Sequence, residues 1–141
     1  MGKKKVCRIK EFNPVIYPTR LWVAIRPSYD EVRDKFGFLD EDGNDVSAEN
    51  EFKPKDTSIA HTYAVYDKES RWKGCFVTIW RKADVRSGVI AHESLHCADW
   101  LDDELGGLGS VDGRKFLTGE PRAYYTQWVA SCIEDVLKGR V

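Results

Sequence analysis

Residues 89–101 read VIAHESLHCADWL, and this stretch is the most informative part of the chain. Its apolar residues recur at helical spacing, which predicts a mostly buried helix over residues 86–101. An α-helix rises about 1.5 Å per residue and turns once in about 3.6 residues. His92 and His96 are therefore one turn apart, and both imidazoles project from the same face, with Glu93 beside them.

Two imidazoles at this spacing can bind one zinc ion, each with a Zn–N distance of about 2.0–2.1 Å. A carboxylate next to the metal can take a proton from bound water, whose pKa zinc lowers to about 7. The chain has only three histidines, and two of them lie in this motif. The pattern predicts that His92 and His96 are metal ligands for Zn²⁺ and that Glu93 is a general base.

A catalytic zinc has three protein ligands and one open position. Glu120 is the preferred third ligand, because residues 119–129 have the pattern of a second helix in which Pro121 occupies the tolerated first turn. The glycine-rich connector, residues 102–117, is long enough to reverse the chain direction. It can therefore bring Glu120 back toward the two histidines.

The motif HExxH followed by a glutamate 24 residues after His96 resembles the gluzincin branch of zinc metallopeptidases. It is most similar to the compact members carried by phages and mobile elements and to the ImmA/IrrE-type peptidases. In these, the third ligand begins a Glu-x-x-Ala stretch rich in aromatic residues, as at residues 120–125. The resemblance covers the last third of the chain. It implies a zincin-like fold and a protein or peptide substrate, with His92, His96 and Glu120 as zinc ligands and Glu93 as general base.

The chain departs from the thermolysin-like pattern at position 124, where tyrosine replaces a commonly acidic residue that orients a histidine. Asp99 is a candidate for that task, since it lies on the same helix face as the two histidines. It can equally be a solvated carboxylate, and it is an alternative third ligand, as is Asp112 in the connector. Candidate donors to the oxyanion are Arg122, Tyr124, Tyr125 and, more remotely, His61.

The preceding part of the chain has the pattern of a scaffold. Strand-like runs occupy residues 15–17 and 21–25, Ser28 is placed to cap a helix over residues 29–36, and residues 62–66 and 75–80 form a predicted hairpin. Residues 39–56 are interpreted as a surface loop, with a lid or partner-binding element as the alternative. Residues 74–80 precede the metal helix and are the candidate strand for pairing with an extended substrate, a role that requires them to lie at a sheet edge.

These elements predict one domain over residues 1–141 with an α+β fold. We expect a small twisted sheet of three or four strands, on which the HExxH helix and a second, C-terminal helix pack. The four cysteines are scattered without a Cys-x-x-Cys pair, which favours a reducing compartment. Cys97 and Cys132 are expected to be small core residues between the two helices.

Composition limits the other function classes. The net charge is −1, and no apolar run has the length needed to span a membrane, so we expect a cytoplasmic protein with no membrane contact. Nucleic acid is not an expected partner, although lysines and arginine form a basic arm at residues 3–10. Two alternatives remain: a non-catalytic zincin-like metal-binding structural or interaction protein, and a regulator that binds nucleic acid through this arm.

Overall fold

The computed structural model describes residues 8–48, 52, 58–106 and 118–141. Within these residues one mixed sheet contains five strands, in the order β1-β2-β5-β4-β3. The strands are β1 (Lys10–Phe12), β2 (Arg20–Ile25), β3 (Phe36–Phe38), β4 (Ala60–Asp67) and β5 (Lys73–Ile79). Strands β2 and β5 are parallel, whereas the other neighbouring pairs are antiparallel. The α+β class is confirmed, but the sheet has more strands than the three or four expected.

Three α-helices accompany the sheet in the described part: α1 (Tyr29–Lys35), α2 (Ser87–Gly106) and α3 (Gly119–Leu137). The predicted cap of α1 is confirmed, because the Ser28 hydroxyl accepts the Glu31 N–H at 3.2 Å. Helix α2 continues beyond the predicted end at residue 101, since Leu105 extends its buried face. A short 3₁₀ turn, Lys82–Asp84, joins β5 to α2 and was not predicted.

The two faces of the sheet bury different kinds of side chain. Because successive strand residues point to opposite faces, Leu21 and Val23 face α2 and α3, whereas Trp22 points the other way. The helix-covered face is aliphatic and includes Cys97 and Cys132, so the prediction that both are core residues is confirmed. The opposite face, covered by α1, is largely aromatic.

The predicted hairpin is confirmed: β4 and β5 are antiparallel neighbours, with Ala64 opposite Cys75. The candidate role of residues 74–80 as the substrate strand is wrong, because that role requires a sheet edge. Strand β5 lies at the centre of the sheet, paired with β2 on one side and β4 on the other. Its residues from Gly74 to Ile79 are all buried, and a run of residues buried on both faces is typical of a central strand.

Part of β4 lies at the edge of the sheet near α2, because β3 is shorter than β4. Strand β3 pairs with β4 only at residues 65–67. The Leu39 N–H donates to Ala64 O at 3.0 Å, and no strand in the described part of the chain pairs with the outer side of residues 60–63. Among the described residues, residues 60–63 therefore have a strand neighbour on one side only, which is β5.

Residues 15–17 are not a strand, contrary to prediction. Val15 has a positive φ of 68°, and its N–H is accepted by the Asn13 side chain at 2.8 Å. Val15 and Ile16 are about four-fifths exposed, at 81% and 78%. Pro14 and Pro18 flank the segment and remove backbone donors, so a turn forms where apolar residues alone predicted a strand.

The described part of the predicted loop, residues 39–48, is a turn closed by a bridge between Leu39 and Asp45. The Tyr66 hydroxyl of β4 donates a hydrogen bond to Asp45. Hydrogen bonds from Ser47 and Tyr66 lower the pKa of the Asp45 carboxyl to about 2. Gly37 permits this arrangement, because a Cβ there would lie only 2.1 Å from the Tyr66 ring.

Several predictions fall outside the described residues: Cys7, most of the basic arm, the connector beyond Gly106, and most of residues 49–57. Among the helices that are described, none combines the length and apolar character that a bilayer crossing requires.

Candidate metal centre

Helix α2 presents the motif as its spacing predicts. Glu93 is buried at 5% exposure on the side that faces the sheet, whereas His92 and His96 lie on the exposed side. The Nε2 atoms of His92 and His96 are 3.1 Å apart, with the two rings edge to face. The structure therefore brings the two imidazoles to one point beside a buried carboxylate.

The distance between the two imidazole nitrogens can be compared with the distance between two ligands in a tetrahedral zinc site. Two nitrogens bound at about 2.0–2.1 Å in a tetrahedral arrangement lie roughly 3.3 Å apart. The observed 3.1 Å is close to this value, and imidazole is a preferred zinc ligand. His92 and His96 thus fit two corners of a tetrahedral zinc site.

The Glu93 carboxylate has a defined partner on the neighbouring strand. The Thr62 hydroxyl of β4 donates a hydrogen bond to Glu93 Oε2. Thr62 belongs to the half of β4 whose outer side has no strand partner among the described residues. Its side chain points to the face of the sheet that α2 covers. The candidate base is thereby connected to the sheet edge.

A cleft of about 460 Å³ lies between this edge and α2. Its wall on α2 includes His92, Glu93, His96 and Trp100, and β4 contributes His61, Thr62 and Ala64. The volume is within the range of about 300–1,000 Å³ that is usual for ligand pockets. Both histidines and the candidate base therefore border one cavity of ligand-binding size.

Glu120 is not brought to this cavity. It lies exposed in the first turn of α3. Among the described residues, no group of three or more histidine, cysteine, aspartate and glutamate side chains is close enough together to hold a metal ion. The third ligand is accordingly still a prediction from the sequence, as is its alternative Asp112, which lies outside the described residues.

Asp99 has a partner that the sequence did not suggest. Its Oδ1 pairs with the Arg122 guanidinium, which comes from the first turns of α3. The ion pair joins α2 to α3 one turn after His96. Because Arg122 is two residues after Glu120, the pair also fixes the part of α3 nearest the candidate third ligand.

The candidate oxyanion donors lie in four different environments. Tyr124 is 65% exposed on α3. Tyr125 is buried in the core, where its ring packs edge-on against Tyr17 at 5.6 Å. His61 borders the cleft, and its ring lies 4.4 Å from that of Tyr63 on the same strand. Arg122 is held by Asp99.

One cysteine, Cys75, is among the residues that line the cleft. Cys75 of β5 borders the cavity, and a hydrogen bond with Cys75 together with burial holds the pKa of the Cys97 thiol well above its ordinary value. The Cys97 thiol is therefore protonated at physiological pH. Burial also raises the pKa of Cys132 to about 12, which keeps the third thiol of this core protonated.

Thr62 was missed as a site residue. The signal was nevertheless in the sequence, because alternation along the predicted strand places Thr62 and Ala64 on one face. The order of the strands was needed in addition, because the sequence made β5 the candidate substrate strand, whereas Thr62 belongs to β4.

Comparison with known proteins gives no match: no family model fits the chain, and neither a curated protein nor a solved structure is significantly similar to it.

Proposed function

We propose that the protein is a zinc-dependent peptidase in which His92, His96 and Glu120 hold the metal and Glu93 is the general base. The observation that carries the proposal is the convergence of the two Nε2 atoms, 3.1 Å apart, at a cleft that also holds the buried Glu93. A structural zinc needs neither an adjacent base nor a cavity. The combination therefore favours hydrolysis over a purely structural metal site.

The roles of the residues follow from their positions. Zinc bound by the histidines would lower the pKa of a water molecule and polarise a substrate carbonyl. Glu93 would accept the proton of the attacking water and transfer it to the leaving amine. Its burial beside the cleft supports this role, since a carboxylate shielded from bulk water exchanges protons chiefly with groups inside the cavity.

The proposed substrate is an extended protein or peptide segment. Ala60, His61 and Thr62 of β4 border the cleft, and the outer side of residues 60–63 has no strand partner in the described part of the chain. Strand addition supplies main-chain hydrogen bonds that do not depend on sequence. A segment added to β4 would run alongside α2 and carry one of its peptide bonds past the histidines.

Metal content is the first test. Elemental analysis after dialysis against buffer without chelator should find one zinc ion per chain in the wild-type protein and a loss in His92→Ala and His96→Ala. His61→Ala is the matched control, because His61 borders the same cleft but is not a proposed ligand. Equal zinc content in all variants would contradict the assignment of the two ligands.

Hydrolysis is the second test. The zinc-loaded protein is incubated with a mixture of synthetic decapeptides, and new termini are identified by mass spectrometry. Glu93→Gln should retain zinc and lose cleavage by about 100-fold or more, since positioned general bases contribute roughly 10²–10⁴-fold. If Glu93→Gln lost zinc instead, Glu93 would be a ligand and not the base.

A further inference from the structure

The contact between Thr62 and Glu93 joins the proposed base to the strand that borders the cleft. Thr62 Oγ1 donates to Glu93 Oε2, and Glu93 is 5% exposed. A buried carboxylate needs hydrogen-bond donors, because losing its water shell without replacement is unfavourable. The threonine hydroxyl supplies such a donor.

This hydrogen bond also distinguishes the two oxygens of the carboxylate. With Oε2 engaged by Thr62, rotation of the carboxylate about its last side-chain bond is restricted. Oε1 is then the oxygen left to accept a proton from a water molecule in the cleft. A base held in one orientation reacts faster than one that rotates freely, because less orientational freedom must be lost on the way to the transition state.

The main chain of Thr62 is at the sheet edge. Leu39 N–H donates to Ala64 O at 3.0 Å from the outer side of β4. Main-chain groups of an antiparallel strand point to alternate sides at successive residues, so those of Thr62 share the outward direction of Ala64. A strand that adds beside Leu39 to residues 60–63 would therefore pair with the main chain of the residue whose side chain holds Glu93.

We infer that Thr62 is a positioning residue: its hydroxyl orients the Glu93 carboxylate, and its main chain receives the substrate strand. The inference rests on the proposed peptidase function for its catalytic consequence. Substrate pairing and base orientation then meet at one residue, so a segment that pairs correctly with β4 encounters an aligned base.

The contact itself is tested without activity. In protein labelled with ¹³C at glutamate carboxylates, Glu93→Gln identifies the resonance of Glu93. Thr62→Val, which keeps the shape and removes the hydroxyl, should shift this resonance, whereas Thr62→Ser should leave it near the wild-type position. The matched control is Thr78→Val, a buried threonine on β5 that donates to His61 O instead. An unshifted resonance in Thr62→Val would overturn the inference.

The catalytic consequence is tested on the decapeptide mixture with zinc-loaded protein. Thr62→Val should lower kcat about 10-fold to 100-fold, with zinc content and KM little changed, and Thr62→Ser should recover most of the rate. Equal rates in Thr62→Val and the wild type would overturn the positioning role. Absence of cleavage by the wild-type protein would instead refute the proposed function, and the carboxylate spectrum would still decide whether Thr62 holds Glu93.

Discussion

Helices α2 and α3 have similar length and pack against each other, yet they contribute differently to the candidate site. On α2 the spacing of the motif alone brings His92 and His96 together, with Nε2 atoms 3.1 Å apart. On α3 the proposed ligand Glu120 lies exposed in the first turn. Functional groups on one helix are positioned by helical geometry, whereas a group on a second helix depends on how the two helices dock and on the segment that joins them.

The largest expected effect tests whether α3 contributes a ligand at all. His96→Ala and Glu120→Ala should each weaken zinc binding by about 100-fold or more, because the metal would lose one of only three protein ligands and zinc sites in small proteins bind with roughly 10–16 kcal/mol in total. Competition with a chromogenic chelator measures both affinities. Glu134→Ala, an exposed glutamate further along α3, is the control and should bind zinc normally. Unchanged affinity in Glu120→Ala would redirect the search to Asp99 or Asp112.

A second prediction sharpens the difference between the helices. If Glu120 binds zinc, metal should protect the amides in the first turns of α3 from hydrogen exchange by about 10-fold, since local opening must then break a metal bond. Amides of residues 129–133 on α3 belong to the buried core and should change little. Mass spectrometry of peptides from zinc-loaded and zinc-free protein measures both regions. Equal change throughout α3 would indicate a general stabilisation and no specific ligand in its first turn.

The contrast between the helices also explains what the sequence could predict. Helix α2 was identified correctly because its apolar period and its motif are both local features. The hairpin of β4 and β5 was identified for the same reason. Strands β1 and β3 have only three residues each, too few to display an alternation, and so the sheet was predicted to be smaller than it is.

The errors concern relations between distant parts of the chain. Nothing local to residues 74–80 shows that β2 will pair with them in parallel, although their uninterrupted burial is characteristic of a central strand. The contact between Thr62 and Glu93 likewise joins positions 31 residues apart. The sequence thus predicted the part of the site on α2, and the strand that completes it emerged only from the fold.

A third prediction compares the middle of α3 with its first turns. Ile133 is 2% exposed in the core, so Ile133→Val should lower the free energy of unfolding by about 0.5–1.5 kcal/mol. Tyr124 is 65% exposed, and Tyr124→Ala should change that free energy by less than about 0.5 kcal/mol. Urea unfolding followed by circular dichroism measures both. A larger loss for Tyr124→Ala would mean that the first turns of α3 are packed more tightly than the structure indicates.

The smallest expected effect concerns the ion pair between Asp99 and Arg122, which connects the two helices near the site. The Asp99 side chain is 47% exposed, and ion pairs that water can reach contribute only about 0.2–1 kcal/mol. A double-mutant cycle with Asp99→Asn and Arg122→Gln should therefore give a coupling energy of this size, which decreases as salt is added.

The effect of the same substitutions on zinc binding separates the two interpretations of Asp99. If it only pairs with Arg122, both single variants weaken zinc binding slightly and equally, through the docking of α3. If Asp99 is instead a ligand or holds a histidine ring, Asp99→Asn weakens zinc binding much more than Arg122→Gln, and α2 then supplies alone what we have divided between the two helices.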